Sequence, residues 1–485
     1  MSHPPRPPAR SDRRGMVLPL ILLVLVLLGM LAASSSFYIH ADLSATRSIS
    51  HRLQTRLAAE AGLQKVMLLL RTESANVDAW YHNPDEFHRV IVWSDGADED
   101  VLGTTEELDE GTAAYRFSIV ADDPQDDEKK VRFGITDESG KLNINVATRE
   151  QLAALISPLA TQEMNVDELV DALIDWRDPD HQPSPNGAEA KYYAELDPPY
   201  AVKNAPFDTV EELLLVRGFT GELLYGEDYD RNGLLSPNED DGDERFPPDN
   251  NDGRLNRGLF PYITVYSQER NAASDNKPRI YLFGDQASVL QQLAEFVDSD
   301  EKLAFIGGVS RGKPRIASPA GLLRPRQEKD REVPSPLTED DLGWIMDRLT
   351  TSREQELVGL ININTAPAPV LATLSDLTVE EIDEIVAQRA LLEPEEKRST
   401  AWLASIVGLD RFEQIAPKIT THGMRYRVES IGYADHVGTM TRLETIIEMR
   451  GPLAQTVYYR DLTTLGTAYP IRVTAEELDV GRTND

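Results

Sequence analysis

The chain has 485 residues and a formal net charge of -33, from 82 acidic against 49 basic residues. That length calls for two or three domains, and the charge repels phosphate backbones, so nucleic acid is not an expected partner while cation binding is. With no cysteine, a disulfide framework, a thiol nucleophile and a zinc–thiolate site are excluded.

Residues 1–15 form a short leader in which Arg6, Arg10, Arg13 and Arg14 outnumber Asp12. Its prolines cannot hold a helix, and its positive charge retains it in the cytoplasm. From Met16 to Ile39 there is no charged side chain, which is enough to cross a bilayer core. Beyond it, Leu43, Ile49, Leu53, Leu57 and Ala61 keep an apolar stripe at helical spacing, so one helix is predicted from Met16 to about Thr72, membrane-spanning over 16–39 and an amphipathic stem over 40–72. The apolar run is long for a secretory signal peptide, and the small residues Ala32, Ala33 and Ser34 give only a weak cleavage site.

Residues 77–111 are mixed and acidic and read as a loop-rich connection. Two strands are expected next, Tyr115 to Asp122 and Lys130 to Glu138, forming a hairpin against the stem within 73–141. Near the other end "MRYRVESIGYA" and "TRLETIIEMRG" alternate about a turn at His436 to Gly438, which predicts a second hairpin over 423–452, followed by a tail over 453–485.

The stretch between the hairpins reads as a large insertion with an internal repeat. "LNINVATREQLAAL" and "ININTAPAPVLATL" agree at seven of fourteen positions; each reads as a short strand, a turn and a helix start, with the asparagines as candidate caps and Pro367 suited to a first helical turn. Helical segments follow each copy, giving a first helical unit over 142–270 with an acidic loop, a connecting region over 271–360 and a second unit over 361–422. They resemble SAM-like or helix-hairpin-helix-like bundles, a likeness that raises a membrane-anchored DNA-uptake receptor. Acids beside both candidate hairpins, in "VRGFTGELLYGEDYD" and "SIVGLDRFEQ", oppose that reading.

The strongest chemical signal is "DYDRNGLLSPNE". It fits D-x-D-x-N-G, five residues, then E, the spacing of a calcium loop. Asp228, Asp230 and Asn232 would supply oxygens, Gly233 the sharp turn, Leu234 its carbonyl, Ser236 a direct or water-mediated contact and Glu239 a bidentate carboxylate. Pro237 and the lack of strong flanking helices argue for a structural calcium and against an opening sensor pair. Asp240, Asp241, Asp243, Asp249, Asn251 and Asp252 are candidates for a second site, although their spacing fits no full template. The acids of "DWRDPD" (Asp175 to Asp180) are a further place for a cation; the simpler reading is a helix end with Arg177 paired to a carboxylate.

Enzyme-like matches fail on context. Gly308 to Gly312 satisfies G-x-S-x-G around Ser310, and Gly307 to Lys313 most of a phosphate loop, but Pro314 follows where a helix or a magnesium-binding hydroxyl is needed. A surface loop is expected there, and a calcium-stabilised secreted hydrolase using Ser310 is the enzyme alternative. No two of the eight histidines lie three or four residues apart, so no helical zinc-hydrolase motif exists.

A short basic leader, a glycine, and an apolar helix that extends into a stem resemble the class III signal of type IV pilins and type II secretion pseudopilins. That likeness implies cleavage by prepilin peptidase between Gly15 and Met16 with methylation of the new N-terminus. The fifth mature residue, commonly glutamate, is Leu20, a departure similar to the minor pseudopilin K family of type II secretion. "LAAEAGLQ", "DESGKLNINVAT", "LIDWRDPD", "PNGAE", "FDTVEELLLVRG" and "GLININTAPAPVLATL" look like that family's landmarks. The resemblance implies an α+β fold, a long anchor and stem helix with a pilin-like antiparallel sheet and a large, mainly helical insert. It implies no catalysis, and calcium as cofactor. The implied setting is the inner membrane, with the N-terminus cytoplasmic and the bulk periplasmic, at the pseudopilus tip among stem helices and I-like and J-like minor pseudopilins.

Overall fold

A computed structural model describes every residue except 1–16, 96–100, 106–111, 124–130, 162–163, 243, 247, 314, 329–330, 375–376, 468 and 470–485. Helix α1 runs from Val17 to Glu73. Its one proline, Pro19, sits in the first turn, where a missing N–H costs nothing. From Leu18 to Gln54 it is exposed except at half-buried His51. It is the single helix among the described residues long and apolar enough to cross a membrane.

From Thr55 onward one face turns inward. Thr55, Ala58, Ala59, Leu63, Val66 and Leu70 are buried, the three-and-four spacing of one helical stripe. They pack on an antiparallel sheet ordered β1 (Val90–Ser94), β2 (Ala114–Val120), β4 (Arg425–Ala434), β5 (Met440–Arg450) and β6 (Leu453–Asp461), with β3 (Thr136–Asp137) pairing with the start of β4. Phe117, Ile119, Val428, Leu443 and Ile447 share the core with α1. Small residues let the backbones approach. A Cβ on Gly432 would lie 2.0 Å from the Thr55 carbonyl oxygen, and one on Gly62 2.5 Å from Ser430 Oγ, while that hydroxyl donates to the Ala59 carbonyl at 2.8 Å.

The second predicted hairpin forms as β4 and β5. The first differs. β2 takes β1 and β4 as neighbours, and 131–135 meets only its end, through the Ala121 to Arg132 bridge and the Gly134 amide donating to the Ile119 carbonyl at 3.2 Å. Strand β1 lies inside the stretch read as loop, and β6 inside the stretch read as tail. Both are short or two-sided: β1 is five residues, and Leu453 and Tyr459 on β6 are exposed, so neither carries the clean alternation that marks a half-buried strand.

The insert leaves the sheet after β3 and returns at β4, and its two necks are paired neighbours, Asp137 opposite Tyr426. Its longer helices are α2 (Arg149–Ile156), α3 (Val166–Arg177), α4 (Gln286–Leu293), α5 (Asp300–Val309), α6 (Leu342–Arg348), α7 (Val379–Leu391) and α8 (Ala404–Ile415). The repeat is structural. Leu142–Asn143 pairs in parallel with Ile263–Thr264, and Ile361–Asn362 with Ile419–Thr420. Asn143 Oδ1 accepts from the Asn145 amide and Asn362 Oδ1 from the Asn364 amide. Arg177 donates to the carbonyls of Ile144 and Ala147, and Arg389 to those of Ile363 and Ala366. Helix α2 is capped by Thr148 with Gln151, leaving the asparagines to brace the turns. The two copies share one core, with Leu142, Ile144, Trp176, Ile361, Ile363 and Phe412 in a single cluster, and 280–349 forms a smaller one around Phe305 and Ile345.

If α1 and the sheet depend on close backbone approach, Gly432→Ala should cost about 1–3 kcal/mol of stability, the usual penalty of overpacking. Gly343→Ala, whose added Cβ meets nothing within 4 Å, should be neutral. Thermal unfolding of the two variants in detergent checks the contrast.

Candidate metal centre and the seam beneath it

The loop from Asp228 to Glu239 sits over the sheet. Gly233 has φ +70°, the left-handed turn expected of it, and Arg231 also takes a positive φ of 54°. Asp228 accepts from the Asn232 and Gly233 amides at 2.9 and 3.1 Å, Asp230 from the Asn232 amide at 3.0 Å, and Asn232 Oδ1 from the Leu234 amide at 2.6 Å. Glu239 folds back to accept from the Ser236 amide at 2.9 Å. The result gathers carboxylate oxygens of Asp228, Asp230 and Glu239 within 4.8 Å of one another, with Asp228 8% and Glu239 2% exposed.

Three negative groups so close and so buried repel. Burial, followed by Asp122, Asp230 and Glu239, pushes the Asp228 carboxyl up to about 7; burial and then Glu239 also raise Asp230. Hard oxygen donors converging in this way suit a calcium ion, and the residues fit one. Asp228, Asp230 and Glu239 stand together, while Asn232 Oδ1 also braces the turn by accepting from the Leu234 amide.

The loop is fastened to the sheet by buried arginines. Arg442 on β5, 0% exposed, donates to the carbonyls of Asp230 and Arg231 at 3.2 and 2.5 Å and pairs with Glu429 at 2.7 Å. Arg257 joins the Gly233 carbonyl at 3.2 Å to Asp122 beyond β2 at 2.6 Å. Beside them Arg427 bridges Glu138 and Glu444 at 2.8 and 2.9 Å, with Lys141 3.3 Å from Glu138. Burial alone would raise Glu138, but Arg427 and Lys141 draw it down to about 2. A cavity of about 110 Å³ lies in this seam, lined by Asp122, Asp228, Arg231, Arg427 and Arg442 among others. Nothing in the sequence marks these arginines, which sit 135 (Arg257), 211 or more (Arg442) and 289 (Arg427) positions from the groups they reach across the junction.

The other sequence-based candidates fare differently. Gly15 and Met16 lie outside the described residues, and Leu20 is exposed on α1. Among the described residues the second acidic set forms no group of three converging carboxylates. Asp249 accepts from the Asp241, Gly242 and Asn251 amides, Asp240 from the Gly253 amide, Asp252 from the Arg254 amide, and Asp241 pairs with Arg245; Asp243 lies outside the described residues. These carboxylates shape a glycine-rich loop, which is why they spread apart. Arg177 serves carbonyls rather than a carboxylate. The predicted loop at Gly308 is the end of α5, and Ser310 caps it by donating to the Gly307 carbonyl at 3.1 Å; a helix before the serine is the reverse of a nucleophile elbow. His51 is half-buried, 2.7 Å from the Tyr115 hydroxyl.

Family models described as type II secretion system protein K match residues 131–225 and 361–397. The chain is 22% identical over 226 residues to a putative type II secretion system protein K of Escherichia coli K12, and 24% identical over 217 residues to the protein K of Klebsiella pneumoniae, each match covering 44% of this chain and 60% of the relative. It is 34% identical over 102 residues to the protein K of Pseudomonas aeruginosa, 19% of this chain and 31% of that one. The matched region thus spans about 60% of the length of the first two relatives. Among solved structures, a chain of the GspK-GspI-GspJ complex from enterotoxigenic Escherichia coli aligns over 87% of this chain and 99% of its own, with 13% identity and a TM-score of 0.38.

The acidic loop makes a pH-dependent prediction. Asp228 ionises near 7 in the fold but near 3.9 when unfolded, so in the ion-free protein it favours folding below about 4 and loses that contribution as pH rises towards 7. Calcium must displace the proton. The increase in melting temperature caused by calcium should therefore be larger at pH 8 than at pH 5.5. Thermal unfolding in chelator and in calcium at both pH values measures that difference, in which groups outside the loop cancel.

Proposed function

We infer that this chain, a member of the type II secretion system protein K family, acts as a minor pseudopilin at the tip of the pseudopilus, initiating and capping assembly for export of folded proteins across the outer membrane. The observation that carries the reading is the division of α1: its last turns are locked on a sheet, while Leu18 to Leu57 present exposed apolar side chains such as Ile21, Leu43, Ile49 and Leu53. Burying such a stripe against neighbouring stems yields roughly 25 cal/mol per Å². In this reading 16–39 is the inner-membrane anchor, 40–72 the stem, and the insert over 142–422 stands where a further subunit would stack.

The proposed processing is cleavage by prepilin peptidase after Gly15 with methylation of Met16. Leu20 then offers no carboxylate to a subunit above, which suits a terminal position. The proposed partners are I-like and J-like minor pseudopilins and the stems of the pseudopilus. Calcium, held by Asp228, Asp230 and Glu239 with the Leu234 carbonyl, Asn232 and Ser236 as further oxygen donors, would neutralise the loop and fix it; the role is structural and the protein non-enzymatic. Basic side chains at the two glycine turns of the helical repeats are spent on protein, Arg217 on Glu168 and the Gly187 carbonyl, Arg411 on Glu381, which weighs against phosphate binding there.

Mass and N-terminal analysis of the membrane-extracted protein, with and without prepilin peptidase, tests the reading. A chain beginning at N-methylated Met16 only when the peptidase is present is expected. A chain beginning near Ser34, or at Met1 under both conditions, would contradict it.

A further inference from the structure

In a chain of net charge -33, residues 311–331 hold seven basic and two acidic side chains. This stretch follows α5 and begins with the glycine- and arginine-rich motif that fits neither a nucleophile elbow nor a phosphate loop. It runs over the smaller core around Phe305 and Ile345, to which it contributes Leu322. The carbonyls at the end of α5 favour cations. Arg311 Nε donates to the Gly307 carbonyl at 3.2 Å. Arg326 lies across the same turn, where a Cβ on Gly308 would collide with its Nη1. The glycine at 308 therefore makes room for an arginine.

Three guanidinium groups here are laid over aromatic rings. Arg315 stands 4.8 Å from the Phe283 centroid, Arg326 5.6 Å from that of Phe305 and Arg353 5.0 Å from that of Tyr281. Tyr281 and Phe283 meet edge to face with centroids 5.8 Å apart, so Arg315 and Arg353 share one support. A ring occupies the face of a guanidinium and leaves its N–H edge to meet a carboxylate in bidentate fashion. Arg311, Lys313, Arg315, Arg331 and Arg353 are exposed, and none of them forms an ion pair with a described residue. By contrast Lys302 is paired with Asp341, Arg324 with Glu413 and Arg348 with Asp275.

We propose that this basic face is a docking surface for an acidic segment of another protein. Charge complementarity selects the partner, because the chain as a whole repels an acidic segment while these unpaired cations attract it and fix where it lands. A lipid surface and a nucleic acid fit less well. Among the described residues no large apolar side chain is exposed between 297 and 357 to enter a bilayer. The rings that could stack on bases are covered by arginines, with Phe283 and Phe305 themselves buried. With charged groups and no apolar centre, the contact is short-lived and sensitive to salt. None of this depends on where the protein sits in the pseudopilus.

The test is fluorescence anisotropy of labelled poly-L-glutamate titrated with the detergent-purified full-length protein. Binding is expected at low salt, with release as salt rises. The double variant Arg311→Glu with Lys313→Glu should weaken it about tenfold, and Arg353→Glu, distant in sequence but on the same face, should weaken it too. Lys191→Glu with Lys277→Glu makes the same change in charge at exposed positions elsewhere in the insert and should leave binding unchanged. All four positions of the two double variants are exposed, so the parent's circular dichroism should be kept. No binding at low salt, or an equal loss in both double variants, would overturn the proposal. So would binding through Arg311 and Lys313 that is tighter to phosphatidylglycerol vesicles or to single-stranded DNA than to poly-L-glutamate.

Discussion

Buried charge, with a small apolar contact at Leu234, joins the two halves of this molecule. The core under α1 and the core of the insert are separate clusters, and between them Arg427 joins Glu138 on the outgoing neck to Glu444 on β5, while Arg442 joins β5 to the backbone of the acidic loop. Such pairs contribute little net stability but are strict about geometry, since removing one partner leaves the other buried and unpaired at about 3–5 kcal/mol. The seam therefore specifies where the insert stands on the sheet. Paired necks at Asp137 and Tyr426 make the same demand from the backbone, and Asp137 reinforces it by accepting from Asn362 and Thr365 of the second repeat at 2.6 and 3.2 Å.

The acidic loop belongs to this seam. Its backbone is held by arginines from the sheet side and its carboxylates face one another, so a cation would act on the junction as well as on the loop. The repeat supplies the rest of the insert's order. Each copy builds the same brace, an asparagine turning on its neighbour and an arginine reaching two carbonyls, and the copies differ mainly in the length of the connection that follows.

The sequence was most legible where one local pattern decides the outcome. Uninterrupted apolar and helical periodicity specified α1 nearly to the residue, alternation specified β4 and β5, and the spacing from Asp228 to Glu239 named the acids that the structure gathers. It was less legible where pairing is non-local. Strand β2 takes β4 as a neighbour across more than three hundred residues, so the nearby 130–138 was the natural but mistaken partner. The two-sided edge strand β6 gives no alternation to read. The carboxylates of the second acidic set accept from backbone amides of their own loop, contacts that spacing alone does not reveal. Arg427 and Arg442 were invisible because their meaning depends on groups brought near only by the fold.

In the proposed role a subunit with an exposed apolar stem stands at one end of a filament. Immunogold electron microscopy of assembled pseudopili, using an antibody against the insert, tests that placement most directly. Gold at a single end of each filament is the predicted result; gold distributed along the shaft would contradict it.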